Sequence, residues 1–175
     1  MIKDGKGGAN TATGLQFEKR VDIAKVFEKV EGYEVKGPDV LFEREKVAEL
    51  HPKYDLYRWL KQKHGVEWKE KLSKRLLPDD AVFITDTNQL IIVEQKYQET
   101  PGSVDEKLQT CDYKRKRYQE LVEDLDISVE YIYVFNDWFK QDQYEDTRQY
   151  IREVGCEYYF YEIPLAALGL PKPQP

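Results

Sequence analysis

The chain has 175 residues and a mass of 20.8 kDa, which is the length of one domain. Hydrophobic residues make up 41% and aromatic residues 13% of it, a composition that excludes an intrinsically disordered chain. The net charge of −6 excludes a general basic coat for nucleic acid but stays compatible with a local basic face.

The first 77 residues predict a flexible arm followed by helices. Residues 1–13 have no periodicity and are rich in glycine, which predicts the arm. From Gly14 to Val30 apolar side chains recur at helical spacing, so we expect a helix that Gly32 ends. A short strand over Tyr33–Lys36 is compatible with the pattern. Residues 37–77 are interpreted as a variable helical insertion, with helices over Phe42–Leu50 and Tyr54–Lys63, and with both histidines at surface or loop positions.

The second half predicts alternating strands and helices. Ala81–Thr85 and Leu90–Gln98 are apolar runs separated by a short turn, which predicts a β-hairpin. The elements expected after it are a helix from Ser103 to about Asp124, a strand over Val129–Phe135, a helix over Tyr144–Val154, a strand over Glu157–Glu162 and a proline-rich tail at 171–175. This order predicts a single α/β domain with a mixed central β-sheet flanked by helices.

Charged residues converge at one end of the predicted hairpin. Glu94 and Lys96 have the same parity on the second strand, so they share one face. The hairpin brings Asp79 or Asp80 beside Glu94, and both alternatives stay open. Buried carboxylates need compensation, and two of them suit a hard cation such as Mg²⁺. A lysine beside such a site is suited to phosphodiester hydrolysis.

Pro78-Asp79, fourteen further residues and then Glu94-Gln95-Lys96 on an apolar strand resemble the motif of the PD-(D/E)XK nuclease superfamily, whose best-known members are type II restriction endonucleases. The resemblance covers about residues 14–162 and implies a restriction-endonuclease-like core. It implies that Asp79, Glu94 and Gln95 bind the metal, that Mn²⁺ substitutes for Mg²⁺, and that Lys96 acts on the attacking water. Glu18, on the first predicted helix, matches an accessory acidic residue of that family.

The predicted helix after the hairpin carries candidate DNA-binding residues. Lys107, Lys114 and Arg117 lie along one flank, and Gln109 belongs to a QxxxY-like stretch that some branches of the family contain. A row of this kind follows a phosphate backbone or is simply a solvated helix face. The same alternatives apply to Lys69, Lys71, Lys74 and Arg75, which precede Asp79.

The expected function is therefore that of a Mg²⁺-dependent endonuclease acting on double-stranded DNA. One site cuts one strand, so a double-strand cut needs a homodimer or a second nuclease subunit. The alternatives are a repair, recombination or nicking nuclease of the same fold, and a non-catalytic DNA-binding or assembly subunit. Two cysteines exclude a disulfide framework, and no apolar run reaches the ~20 residues of a membrane span, so we expect a cytoplasmic protein without membrane contact.

Overall fold

A computed structural model describes residues 13–18 and 21–175. It has a mixed α/β fold in which helices flank a seven-stranded mixed sheet. The sheet strands are β2 (Tyr33–Lys36), β3 (Asp39–Phe42), β4 (Glu45–Leu50), β5 (Asp80–Ile84), β6 (Gln89–Lys96), β7 (Ser128–Phe135) and β8 (Glu157–Phe160), in that spatial order. A separate two-stranded ribbon pairs β1 (Gly14–Gln16) with β9 (Glu162–Pro164).

The sheet changes direction at β6. Strands β2 to β6 pair antiparallel with their neighbours, whereas β6, β7 and β8 run parallel. In the centre of β6, Leu90 and Ile92 point to one core, and Ile91 and Val93 point to the other. All four side chains are buried because helices or the ribbon cover both faces of the sheet.

The helices are α1 (Ile23–Glu28), α2 (Tyr54–His64), α3 (Trp68–Lys71), α4 (Val104–Lys107), α5 (Cys111–Val122) and α6 (Glu145–Glu153). The core that holds Leu90 and Ile92 also contains the apolar residues of α2, α5 and α6, and we call that side of the sheet the α5 face. The core that holds Ile91 and Val93 contains those of α1 and the ribbon, and we call that side the α1 face.

The predicted elements from the hairpin onwards are confirmed, except that the last strand ends at Phe160 and Glu162 belongs to β9 of the ribbon. β5 and β6 form an antiparallel hairpin, and β7, α6 and β8 follow in the predicted order. The single helix expected from Ser103 consists of α4, a 3₁₀ turn over Leu108–Thr110, α5 and a second 3₁₀ turn over Glu123–Leu125. In the proline-rich tail, Pro173 is buried and the Pro171 carbonyl accepts a 2.5 Å hydrogen bond from the Tyr33 hydroxyl.

The predicted helix from Gly14 to Val30 is wrong in its first part and is confirmed as α1 over Ile23–Glu28. Residues 14–16 form a strand because their backbone pairs with β9, with Leu15 opposite Ile163. The helix begins only after Asp22, whose Oδ1 accepts a 3.0 Å hydrogen bond from the N–H of Ala24. Pairing across about 150 residues of chain therefore overrides the local helical spacing.

The interpretation of residues 37–77 as a helical insertion is wrong for its first half. Residues 39–42 and 45–50 are strands of the main sheet, joined by a turn in which Glu43 and Arg44 adopt positive φ. Glu45–Leu50 has good helix formers, but its backbone pairs with β3 and β5 on its two sides. His51 follows directly, outside any helix or strand, and is buried, so of its two expected positions the loop is confirmed and the surface is wrong. The helix predicted from Tyr54 is confirmed as α2.

Three further expectations concern the two cysteines, membrane-spanning segments and the N-terminal arm. Cys111 and Cys156 are buried free thiols. Over residues 13–18 and 21–175 there is no helix of the length and hydrophobicity that crossing a membrane requires. The predicted arm at residues 1–13 lies outside the described residues except for Thr13.

Candidate active site

The hairpin brings Asp79 to the end of β6. Asp80 is opposite Val93 in the β5–β6 register, so Asp79, one residue earlier, lies beside Glu94. The Oδ2 atom of Asp79 accepts a 3.1 Å hydrogen bond from the backbone N–H of Gln95. Because that N–H lies at the open end of the hairpin, the bond holds the Asp79 carboxylate against the stretch of β6 that carries Glu94.

Glu94 and Lys96 form an ion pair on the α5 face. The Nζ atom of Lys96 donates a 2.9 Å hydrogen bond to Oε2 of Glu94, and their side chains are only 18% and 7% exposed. Removing a carboxylate from water is costly, and a paired ammonium offsets part of that cost. The ammonium of Lys96 is therefore the cation that compensates the buried charge of Glu94.

Strand alternation separates Asp80 from this pair. The side chains of Asp80 and Gln95 lie on the α1 face, where Gln95 Nε2 donates to Asp80 Oδ2 at 3.4 Å. Burial raises the pKa of Asp80 to about 7, with the Asp79 charge acting in the same direction. By strand register Asp79 lies opposite Glu94, and it also lines a cavity of about 440 Å³ together with Asp80 and Gln95.

The side chain of Gln95 is turned away from the acid pair. Its Oε1 accepts from the N–H of Val21 at 3.3 Å, and its Nε2 donates to the carbonyl of the same residue at 2.9 Å. Gln95 contacts the acid pair only through its backbone, whose N–H donates to Asp79.

Buried tyrosines cover the acid pair on the α5 face. Burial raises the pKa of Tyr118 and of Tyr131, and the nearby negative charge of Glu94 contributes to both shifts. Asp79 contributes to the shift of Tyr118 as well. The hydroxyl of Tyr131 is buried and has no hydrogen-bond partner among the residues that the structure describes. The carboxylates therefore lie in a poorly hydrated environment, where electrostatic interactions are stronger than in water.

Glu18 does not join this cluster. It is exposed and outside any helix, because the predicted first helix is absent at that position. It lines a cavity of about 590 Å³ together with Tyr97 and Glu99, and the carbonyl of Phe17 next to it accepts a 3.0 Å hydrogen bond from the Tyr97 hydroxyl. The matched accessory position is thus separated from Asp79 and Glu94.

The four candidate DNA-binding residues have different environments. Lys107 is exposed and Lys114 is half-buried, and neither has a carboxylate partner among the described residues. Arg117 pairs with Glu120 at 2.6 Å and stacks on the ring of Tyr113. Gln109 lines a cavity of about 360 Å³ together with residues of α6, such as Tyr150.

The donor set at the acid pair fits Mg²⁺. In residues 13–18 and 21–175, no three side chains of His, Cys, Asp and Glu gather closely enough to hold a metal ion. Asp79 and Glu94 offer two carboxylates, and Mg²⁺ is commonly bound by one or two carboxylates with its other positions filled by water and phosphate oxygens. Two hard oxygen donors beside a lysine meet that requirement.

Sequence reasoning missed a second buried ion cluster, on β4 and α2. Glu49 is 4% exposed and accepts hydrogen bonds from Lys46 at 2.5 Å, His51 at 3.0 Å and Lys63 at 3.1 Å. Burial disfavours the ionised carboxylate, but these three donors outweigh it and lower the pKa of Glu49 to about 2. Burial also lowers the pKa of His51, whose ring stacks on Trp59. Glu49 and His51 are two residues apart. If this segment is recognised as extended chain, their side chains are expected on the same face.

Comparisons of the chain with protein-family models, with curated proteins and with solved structures found no match.

Proposed function

We propose that the chain is a Mg²⁺-dependent endonuclease that hydrolyses phosphodiester bonds of double-stranded DNA, in the manner of the type II restriction endonucleases that its motif resembles. One observation carries the proposal: Asp79, Glu94 and Lys96 share one face at the open end of the β5–β6 hairpin. A surface ion pair would explain Glu94 and Lys96 alone, but Glu94 is buried and Asp79 lies beside it.

The order of elements around the hairpin supports a restriction-endonuclease-like core. The antiparallel pair β5–β6 continues into helices α4 and α5 and then into β7, which lies parallel to β6. The acid pair is at the carboxyl end of β6, where α4 and α5 leave the sheet. Binding sites in open α/β sheets are commonly found at the carboxyl ends of strands.

Each residue has a definite task in this proposal. Asp79 and Glu94 hold Mg²⁺, or Mn²⁺ in its place, with the Gln95 backbone adjacent. When bound, the ion supplies positive charge that polarises the scissile phosphate. Lys96 orients the attacking water and stabilises negative charge on the phosphate, because its ammonium lies within 2.9 Å of Glu94 and is partly shielded from solvent. Lys107 and Lys114 contact the phosphate backbone.

Each chain has one such site, and one site cuts one strand. A double-strand cut then requires a homodimer or a second nuclease subunit, whereas a nicking, repair or recombination nuclease of this fold works with one. The rival from a different class is a non-catalytic DNA-binding or assembly subunit. The presence of both acids and the lysine on one face favours the enzyme over that rival.

Isothermal titration with Mg²⁺ and Mn²⁺ tests the proposal without depending on the DNA sequence that is cut. Wild type should bind the ion, and Asp79→Asn and Glu94→Gln should each lose that binding. Asp80→Asn is the matched control, since Asp80 neighbours Asp79 but faces the opposite side of the sheet. Heat of binding that survives in Glu94→Gln, or no binding in wild type, would favour the non-catalytic subunit.

A further inference from the structure

Two exposed tyrosines near the acid pair each carry an arginine on one ring face. The guanidinium of Arg75 lies 4.6 Å from the ring centre of Tyr54, and that of Arg117 lies 5.1 Å from the ring centre of Tyr113. The tyrosines remain 49% and 60% exposed. Each stack therefore leaves aromatic surface open to solvent beside a guanidinium, which in Arg117 is paired with Glu120. We call the two pairs the Tyr54–Arg75 stack and the Tyr113–Arg117 stack.

The Tyr54–Arg75 stack is anchored next to Asp79. Lys53, immediately before Tyr54, donates its backbone N–H to the carbonyl of Pro78 at 3.1 Å, and Pro78 precedes Asp79. Arg75 also contacts the rings of Tyr57 and Trp68, at 5.5 and 5.3 Å, so its guanidinium is held by three aromatic rings. No carboxylate in the described part of the chain pairs with it.

The Tyr113–Arg117 stack lies on α5. Arg117 and Tyr113 are four residues apart, which puts them on one side of the helix, and Lys114 follows Tyr113. Buried residues of α2 and of α5 pack in the core that contains Leu90 and Ile92, on the face of β6 that carries Glu94. The two stacks therefore lie on two of the helices that cover the face of the acid pair.

We propose that these two stacks bind unpaired nucleic acid bases next to the bond that is cut, so that the substrate is a strand left single at the scissile phosphate. The inference rests on the proposed nuclease function for the cut itself. A tyrosine ring backed by a guanidinium presents a flat, polarised surface on which any base stacks, and such stacking contributes about 1–3 kcal/mol per base. In an intact duplex the base faces are already stacked on one another and do not reach these rings.

Fluorescence anisotropy in EDTA tests the stacks separately from cleavage. The probes are a labelled oligothymidylate of roughly 20 nucleotides, longer than the ~4–16 nucleotides that one single-strand site covers, its uridylate counterpart and a blunt duplex of the same length. We expect one of the single strands to bind at least about fivefold tighter than the duplex, and the comparison of deoxy with ribo strand identifies the nucleic acid. Tyr54→Ala and Tyr113→Ala should each weaken that binding at least about fivefold, and the Phe variants should retain it.

Tyr150→Ala is the matched control. Tyr150 is also an exposed tyrosine, at 36%, but it lies on α6, and no arginine within residues 13–18 and 21–175 stacks on it. Its variant should bind like wild type. Equal or tighter binding of the blunt duplex, or unchanged binding in both Tyr→Ala variants, would overturn the inference.

The two proposals fail in different ways. Tyrosine-dependent binding of single strands without any cleavage in Mg²⁺ or Mn²⁺ would refute the nuclease and leave the stacks intact. Cleavage of blunt duplex that depends on Glu94 but is indifferent to Tyr54 and Tyr113 would support the nuclease and refute the stacks.

Discussion

The carboxylate of Asp79 accepts a hydrogen bond from the backbone N–H of Gln95, at 3.1 Å, across the open end of the β5–β6 hairpin. This bond holds the acid of the first strand against the Glu94-Gln95-Lys96 stretch of the second. The bond is made by Asp79 and not by Asp80. The sequence alone does not distinguish these two adjacent aspartates as neighbours of Glu94.

Asp79→Asn and Glu94→Gln should each lower cleavage by at least about 10³-fold, since each removes a carboxylate that holds the metal. Both substitutions are nearly isosteric, so circular dichroism and thermal unfolding should report an intact fold. Asp80→Asn should keep most of the activity because its side chain lies on the α1 face. If Asp80→Asn is inactive and Asp79→Asn is active, the roles of the two aspartates are exchanged.

Lys96→Ala should reduce the rate of the chemical step by about 10²–10³-fold while changing DNA affinity little, because the ammonium acts at the scissile phosphate. Single-turnover cleavage with saturating enzyme separates the two quantities. Lys96→Arg keeps a positive charge but is larger and remains protonated, so it should also be slow. Near-full activity in Lys96→Ala would mean that Glu94 and Lys96 form only a structural ion pair.

Binding to duplex DNA should weaken steeply with salt in spite of the net charge of −6. Each phosphate contact that is lost lowers the slope of log K against log salt by about 0.9. Lys107→Gln combined with Lys114→Gln should therefore flatten the slope by up to about 2 and weaken all DNA sequences alike. Lys140→Gln is the control, as Lys140 pairs with Asp137 on a 3₁₀ turn after β7. The same slope in wild type and the double variant would exclude these lysines from the interface.

Glu49 should make the protein sensitive to acid. Its pKa in the fold is about 2, below that of an unfolded glutamate near 4.3. The stability that its hydrogen bonds contribute is therefore complete above about pH 4.3 and is lost as the pH falls towards 2. His51 acts in the same direction, because burial lowers its pKa and protonation then costs stability below about pH 6.5.

Urea unfolding between pH 2 and 7 measures this contribution. Glu49→Gln should lower the free energy of unfolding at pH 7 by on the order of 2 kcal/mol and should flatten its pH dependence. Glu34→Gln is the control, because Glu34 forms only an exposed pair with Lys36 at 3.3 Å. An unchanged pH profile in Glu49→Gln would show that the Glu49 cluster contributes nothing to acid sensitivity.

The part of the fold that is predictable from the sequence is the part with strong local patterns. Leu90–Val93 is a continuous apolar run bounded by a turn, so β6 and its hairpin partner follow from the residues alone. The stretch Glu45–Leu50 consists largely of helix formers, and only its pairing with β3 and β5 makes it a strand. Gly14–Gln16 likewise becomes a strand because β9 lies beside it, and that partner is too distant in sequence to be recognised.

The site shows the same division. The shared face of Glu94 and Lys96 is predictable, because strand alternation alone puts the two side chains on one side of the sheet. Glu18 was misplaced because its position depended on the wrong first helix. Arg75 contacts Tyr54, although the remainder of α2 and the whole of α3 lie between the two residues along the chain. Helical or strand periodicity does not predict a contact over such a separation. Contacts of this kind become visible only when α2 is packed on the sheet.

The most direct test of the proposed function is incubation of the purified protein with native and with heat-denatured phage DNA, with and without Mg²⁺, followed by mapping of the fragment ends. Wild type should produce new ends only in the presence of Mg²⁺ or Mn²⁺, and Glu94→Gln and Lys96→Ala, prepared identically, should produce none. The absence of cleavage with either ion, or cleavage that persists undiminished in both variants, would contradict the assignment of Asp79, Glu94 and Lys96 as the active site of a nuclease.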